Sequence, residues 1–343
     1  MTKQIQTQLV LKNEDAALHL LDQTMGYTYQ AALRAVAQLG VADYLADGPK
    51  SVTDLAQAVG AEPQKLQRLL RVTATRDIFR EVEPGVFELT AAADYLRTDA
   101  DHSLRSAVLM LTDETFWRPI GELIESARGN PPFRHLYGKS FFEYWSQAGA
   151  QAEDFHVGMS SMSQVENIFL VRSYEFPDGA TVADIAGGFG GLLLRVLQTN
   201  PSLHGILYDQ SHVLERNRLG ELGDNSRWEL SSGDFFKSAP KADIYLLKYI
   251  MHDWPDEQAS LILKNIRKAM NPGARILIMD PLIPEGNTPH SGKLMDLLCM
   301  GIYEGGRERT KKEFEQLLAS ADLRLNRTID TGCYVSIIEA CAV

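Results

Sequence analysis

The sequence predicts an α/β protein, a doubly wound Rossmann-like sheet preceded by a mainly helical winged-helix domain. Three observations predict it. From residue 181 onward, short apolar strands alternate with amphipathic helices, a pattern that favours a mainly parallel sheet. The stretch Thr181-Val-Ala-Asp-Ile-Ala-Gly-Gly-Phe-Gly-Gly-Leu-Leu-Leu-Arg-Val-Leu runs from an apolar strand through a glycine cluster into a helical pattern. The N-terminal third follows the order helix, turn, helix, hairpin.

The chain of 343 residues is long enough for two domains with separate cores. Its 45% apolar and 23% charged residues are ordinary for a globular protein. No apolar run approaches the ~20 residues of a membrane span. The opening Met-Thr-Lys-Gln-Ile-Gln-Thr-Gln lacks the apolar centre of a signal peptide. Cys299, Cys333 and Cys341 lie late and without metal-ligand spacing, which suits a reduced, cytoplasmic protein. A net charge of −11 argues against nucleic acid or an anionic membrane as partner.

In chain order, residues 14–24 and 30–45 read as helices, the second with an apolar stripe through Leu33, Val36, Ala37 and Leu39. Thr53 is placed to cap a short helix over 54–59, which Gly60 stops. Pro63 opens the next helix, and Glu83-Pro84-Gly85 turns between two short strands. The basic residues Lys65, Arg68, Arg71 and Arg76 raise DNA binding as a possibility, which the acidic chain disfavours. The apolar helices ahead of this unit exceed what it needs to cover itself, so dimerisation is the expected use. Thr90 caps a helix over 91–96. Residues 103–128 form one long helix or two shorter ones. After the breaker at Gly129-Asn-Pro-Pro, Phe141, Phe142, Tyr144 and Trp145 lead into a helix through Met162.

The expected strands of the second half are 182–185, 204–209, 228–231, 244–248 and 275–280, with late strands at 326–328 and 335–339. Helices are expected over 192–198, 257–269 and 311–320. Right-handed crossovers would bring the strand C-termini to one edge. Asp184, Asp209, Asp234, Lys248 and Asp280 all fall at or just beyond those ends.

The glycine loop fits a nucleotide-like cofactor at the sheet edge. Gly188-Phe-Gly-Gly-Leu-Leu imitates a dinucleotide fingerprint, and Asp209 stands near where a ribose-binding acid belongs, but Leu193 replaces the third small residue. Charge separates the candidates. Asp184 would oppose a pyrophosphate, whereas S-adenosylmethionine carries an ammonium and a sulfonium that an acid stabilises.

The second half resembles the class I S-adenosylmethionine-dependent methyltransferases. In particular it is similar to the O-methyltransferases of the caffeic acid, isoflavone and acetylserotonin type and their bacterial antibiotic-tailoring relatives. The resemblance rests on Ala183-Asp-Ile-Ala-Gly-Gly-Phe-Gly, Gly205-Ile-Leu-Tyr-Asp, Gly233-Asp-Phe-Phe, Leu247-Lys-Tyr-Ile-Met-His-Asp-Trp-Pro-Asp-Glu and Gly305-Gly-Arg-Glu-Arg-Thr. It covers essentially the whole chain and implies a winged-helix dimerisation domain over 1–102, a helical linker to the substrate pocket over 103–165 and a cofactor-binding domain over 166–343, assembled as a homodimer. Two positions depart from the family pattern. Ala186 stands at the first glycine of the loop, tolerable if its φ stays negative, and Asp280 stands where plant members carry Glu.

By this resemblance Asp209 holds the cofactor ribose, Asp234 and Phe235 cover the adenine, and Lys248 lines the same pocket. Asp184 and the loop Ala186, Gly187 and Gly188 follow the methionine moiety, with Met159 and Ser163 reaching over from the preceding helix. His252 is implied as the general base, oriented by Asp280 and Glu308. An unshifted imidazole is a suitable acceptor of a phenolic proton. Trp145, Phe155, Met159, Trp254, Met295, Cys299, Met300 and Tyr303 form the implied walls for a flat aromatic acceptor, such as a phenazine or polyketide. No metal is implied.

Overall fold

The computed structural model describes residues 13–343. The N-terminal stretch read above for a signal-peptide centre lies outside them. The chain divides into two compact units, up to Thr112 and from Asp113 to Val343.

The first unit begins with helices Glu14–Gln23 and Gly26–Leu39. Gly40, at φ 67°, ends the second helix, and Val41–Leu45 continues as a 3₁₀ turn rather than as more α-helix. Strand β1 (Lys50–Ser51) leads into helix Val52–Val59. Ser51, not Thr53, caps that helix, because its hydroxyl accepts the Asp54 N–H at 3.1 Å. Helix Pro63–Ala74 and the hairpin of β2 (Phe79–Glu83) and β3 (Val86–Leu89) complete the winged unit. Val36, Leu45, Leu55, Leu66, Leu70, Phe79 and Phe87 are its core. Helix Glu14–Gln23 buries nothing, and Leu18, Leu20 and Leu21 stand exposed.

The stretch expected as one or two helices over 103–128 is three: Arg105–Leu111, Glu114–Gly121 and Leu123–Ala127. Asp113 starts the middle one by accepting the Thr115 N–H at 3.1 Å. Pro119, which has no N–H to donate, sits two residues before its end. Helices Pro132–Tyr137 and Phe141–Ser146 follow. The next helix, Ala150–Arg172, continues ten residues beyond the expected end at Met162.

The main sheet comprises β4 (Thr181–Ile185), β5 (His204–Asp209), β6 (Trp228–Ser232), β7 (Ile244–Lys248), β8 (Arg275–Asp280), β11 (Leu323–Ile329) and β12 (Ser336–Ala342). A short parallel pair, β9 (Leu282–Ile283) with β10 (Arg309–Thr310), lies apart from it. The order is β11-β12-β8-β7-β4-β5-β6, with β12 antiparallel to both neighbours and the rest parallel. Strand order reverses between β4 and β7, the place where open α/β sheets bind ligands. Apolar cores cover both faces, one around Tyr245, Ile262, Ile266 and Phe314, the other around Leu193, Leu197, Leu207 and Leu246. Helix Ser291–Ile302, absent from the sequence reading, carries Met295, Cys299 and Met300. Among the described residues no helix is long and apolar enough to cross a membrane.

Candidate active site

The glycine loop leaves β4 with little room for side chains. A Cβ on Gly187 would meet the Asp184 carboxyl at 2.5 Å and Leu207 at 2.6 Å, so only glycine fits. The Gly188 N–H donates to Asp209 Oδ2 at 2.9 Å and the Gln210 N–H to Oδ1 at 2.7 Å, which pins the carboxylate at the end of β5. Ala186 departs from expectation. Its φ is +53°, in the left-handed region, and its N–H is held by the Tyr208 carbonyl at 2.8 Å. The condition under which its methyl costs nothing is therefore not met.

Asp184 is 2% exposed, and its Oδ2 has no hydrogen-bond partner among the described residues. Burial pushes its carboxyl up to about 7, against the opposing effect of the Leu193 N–H. Burial also raises the Asp209 carboxyl. Lys248, at the end of β7, is already committed. Its Nζ lies 2.8 Å from Glu166 Oε2 and donates to Ser163 Oγ at 2.7 Å and Asn167 Oδ1 at 3.0 Å. The buried Asp184, the half-buried Asp209 and an occupied lysine would oppose a pyrophosphate. They fit the cationic S-adenosylmethionine, whose positive charges nearby carboxylates favour.

His252 sits in a 3₁₀ turn, Met251–Asp253, just past β7. Its Nδ1 lies 2.7 Å from Glu308 Oε1 and 3.8 Å from Cys299 Sγ, and its Nε2 lies 3.3 Å from Asp253 Oδ1. The fully buried Arg309 holds the turn from below. It donates to the Met251 carbonyl at 2.6 Å and the Trp254 carbonyl at 2.8 Å, and pairs with Asp256. Gly306 lets this segment close, since a Cβ there would lie 2.6 Å from the His252 carbonyl.

Burial opposes charge on His252, but Cys299, Glu308 and Asp253 around the ring outweigh it and hold its pKa well above the ordinary histidine value. Burial pushes the Cys299 thiol up to about 11. Asp280 does not hydrogen-bond the imidazole. Its Oδ1 accepts the Tyr249 N–H at 3.0 Å, and burial pushes its carboxyl up to about 7.

Aromatic rings converge beside His252. Trp145 stacks on Phe155 at 4.6 Å, and Phe142 stacks on Tyr303 at 5.6 Å and on Trp254 at 6.1 Å. Tyr303 lies 6.0 Å from the His252 ring, and Trp254 meets Phe235 edge-on. Met159, Met295 and Met300 are half-buried. Asp234 serves its own turn, accepting the Phe236 N–H at 2.9 Å and pairing with Lys237.

A family model described as an O-methyltransferase domain matches residues 117–324, and one described as an O-methyltransferase dimerisation domain matches residues 21–99. The chain belongs to the O-methyltransferase family. A phenazine O-methyltransferase of Lysobacter antibioticus is 35% identical, over 94% of this chain and 95% of the relative. A mitomycin biosynthesis 6-O-methyltransferase of Streptomyces lavendulae is 35% identical, over 88% of this chain and 87% of the relative. The crystal structure of a calicheamicin biosynthesis methyltransferase with S-adenosylhomocysteine bound has a TM-score of 0.91 at 39% identity, covering 97% of this chain and 100% of that one. The protein is an S-adenosylmethionine-dependent O-methyltransferase.

The structure brings to this candidate site residues that the sequence reading did not single out: Glu166, Asn167, Tyr249 and Asp253. Glu166 and Asn167 stand three and four residues after Ser163 on helix Ala150–Arg172, a spacing that puts all three on one face. That periodicity was the available signal. Tyr249 and Asp253 adjoin residues already named, but nothing in their identity marks them.

Proposed function

We propose that this O-methyltransferase methylates a hydroxyl of a flat aromatic small molecule, a polycyclic or heteroaromatic secondary metabolite, with His252 as general base. The observation that carries the proposal is a buried histidine, ringed by carboxylates, opening beside stacked aromatic side chains. The phenazine and mitomycin relatives support the substrate class.

Asp184, the loop Ala186, Gly187 and Gly188, Asp209, Asp234, Phe235, Lys248, Ser163 and Met159 would hold S-adenosylmethionine. The cofactor brings the activated methyl group and its leaving group. The chain's own task is to orient the acceptor oxygen and take its proton. Glu308 holds Nδ1 and fixes the tautomer, which leaves Nε2 to accept the proton. Charge spreading from Glu308 and Asp253 stabilises the imidazolium that results. Trp145, Phe155, Met159, Trp254, Met295, Cys299, Met300 and Tyr303 would form the walls around the acceptor, and Asp280 would support the base through the Tyr249 backbone.

Residues 1–102 would form a dimerisation domain of a homodimer, consistent with the exposed Leu18, Leu20 and Leu21. Residues 103–165 would link it to the cofactor-binding domain over 166–343. A reduced, cytoplasmic setting suits three unpaired cysteines. The test is incubation with S-adenosylmethionine and a panel of hydroxylated aromatics, read by mass for methylated product. His252→Ala is expected to keep S-adenosylhomocysteine binding and lose most turnover. Near-wild-type turnover would overturn the base assignment.

A further inference from the structure

We infer that Tyr249 is a positioning residue for His252, its ring fixing the imidazole from the face while Glu308 holds it from the edge. The inference rests on His252 being the base. Tyr249 follows the last residue of β7 with φ at +57°, a conformation an aromatic residue adopts only where its surroundings impose it. The surroundings here are explicit. The Tyr249 N–H donates to Asp280 Oδ1 at 3.0 Å, and its hydroxyl donates to Glu166 Oε1 at 2.7 Å. Glu166 is buried and also accepts from the Tyr334 hydroxyl and pairs with Lys248 at 2.8 Å. Both ends of Tyr249 are thus tied down, and the ring between them stacks on His252 at 5.1 Å with 17° between planes.

The left-handed turn is what delivers this contact. It redirects the chain at the strand end so that a side chain three residues before the base lies flat against it. Glu166 and Ser163 share helix Ala150–Arg172, so the same buried carboxylate that anchors the ring also anchors Lys248 at the expected cofactor site. The arrangement ties the orientation of the base to the wall of the donor pocket.

The ring face also favours positive charge on the imidazole. The other groups facing His252 are Glu308, Asp253, Cys299, Asp280 and Tyr303. The base must be neutral to act, so the acid limb of kcat/KM follows its pKa. Tyr249→Leu is expected to cut kcat by about tenfold or more, since small misplacements of a catalytic group are costly. It should move the acid limb to lower pH and leave S-adenosylhomocysteine affinity within about threefold, less than half a pH-unit equivalent in free energy. Tyr249→Phe keeps the ring and cuts only the tether to Glu166. It is expected to keep the wild-type acid limb and lose kcat by a few-fold.

Wild-type kcat and acid limb in Tyr249→Leu overturn the inference. So does a kcat loss matched by an equal loss of S-adenosylhomocysteine affinity, which would mean collapse of the pocket. Should Tyr249→Leu not fold, Tyr249→Phe decides: wild-type kcat overturns the inference, and a few-fold loss with an unmoved limb supports it. An active His252→Ala would instead sink the base assignment itself.

Discussion

Asp184→Asn replaces a buried carboxylate with a neutral group of the same shape. Burial pushes the Asp184 carboxyl up to about 7 in the folded protein, against an ordinary value of about 3.9 for an unfolded chain. A raised acid binds its proton more tightly when folded, so the stability this gives is present at low pH and is lost as pH rises from about 4 through about 7. Linkage sets the carboxylate's cost at about 2 kcal/mol at about pH 5 and about 4 kcal/mol at about pH 8. The asparagine escapes that cost but carries an unpaired buried amide worth about 1–3 kcal/mol at either pH. The amide penalty cancels when the two pH values are compared. Between them the variant should therefore gain about 2–3 kcal/mol on the wild type, or about 4–12 °C in relative Tm for a unit of this size. The assay is thermal unfolding of both cofactor-free proteins at the two pH values. A Tm difference that does not change with pH would refute the burial argument. At the higher pH the same variant should bind S-adenosylmethionine more weakly, so stability and cofactor affinity move in opposite directions.

The remaining predictions concern both halves of the site. The wild-type acid limb of kcat/KM should lie above the ordinary histidine value of about 6.5, because the carboxylates around His252 hold the proton on; a limb at or below that value would refute the raised pKa. Glu308→Gln removes one of those charges, so the limb should move to lower pH while kcat falls by about tenfold or more; an unmoved limb counts against the Nδ1 contact. Asp209→Ala should weaken S-adenosylhomocysteine binding by about tenfold or more in calorimetry, since charge-assisted bonds are lost, and unchanged affinity would refute the ribose role. Ala186→Gly relieves about 1–2 kcal/mol of left-handed strain and returns about 0.4–1 kcal/mol to unfolded-chain freedom. The net is a stabilisation of about 0–1.6 kcal/mol in urea unfolding, and a destabilised variant would refute it.

Much of the sheet was legible because its strands are apolar runs that end in marked residues. The bounds of His204–Asp209, Ile244–Lys248 and Arg275–Asp280 match the expectation, each closing on an acid or lysine. Helix Ser291–Ile302 was not legible. Its N-cap is His290, an uncommon capping residue, and its apolar positions lack one clean stripe. The helices between Arg105 and Ala127 merged in the reading because caps and an interior proline interrupt a hydrophobic rhythm without erasing it. Within the site, Lys248 and His252 share one short segment, so a local pattern could reveal them. The Lys248–Glu166 pair and the Tyr249–Glu166 bond join residues more than eighty apart, and only the folded chain brings them together. Positive φ at Ala186 and Tyr249 is likewise a property of surroundings rather than of residue type.

Helix Glu14–Gln23 has ten residues and no buried side chain. Isolated helices below about 12–15 residues are marginal in water, so its own hydrogen bonds do little to hold it. A surface covering Leu18, Leu20 and Leu21 would supply most of its order. If a second copy of the chain is the cover, folding of this segment becomes a concentration-dependent event. Dilution would then unravel the N-terminal end first, and the helix would act as a gauge of how much protein is present.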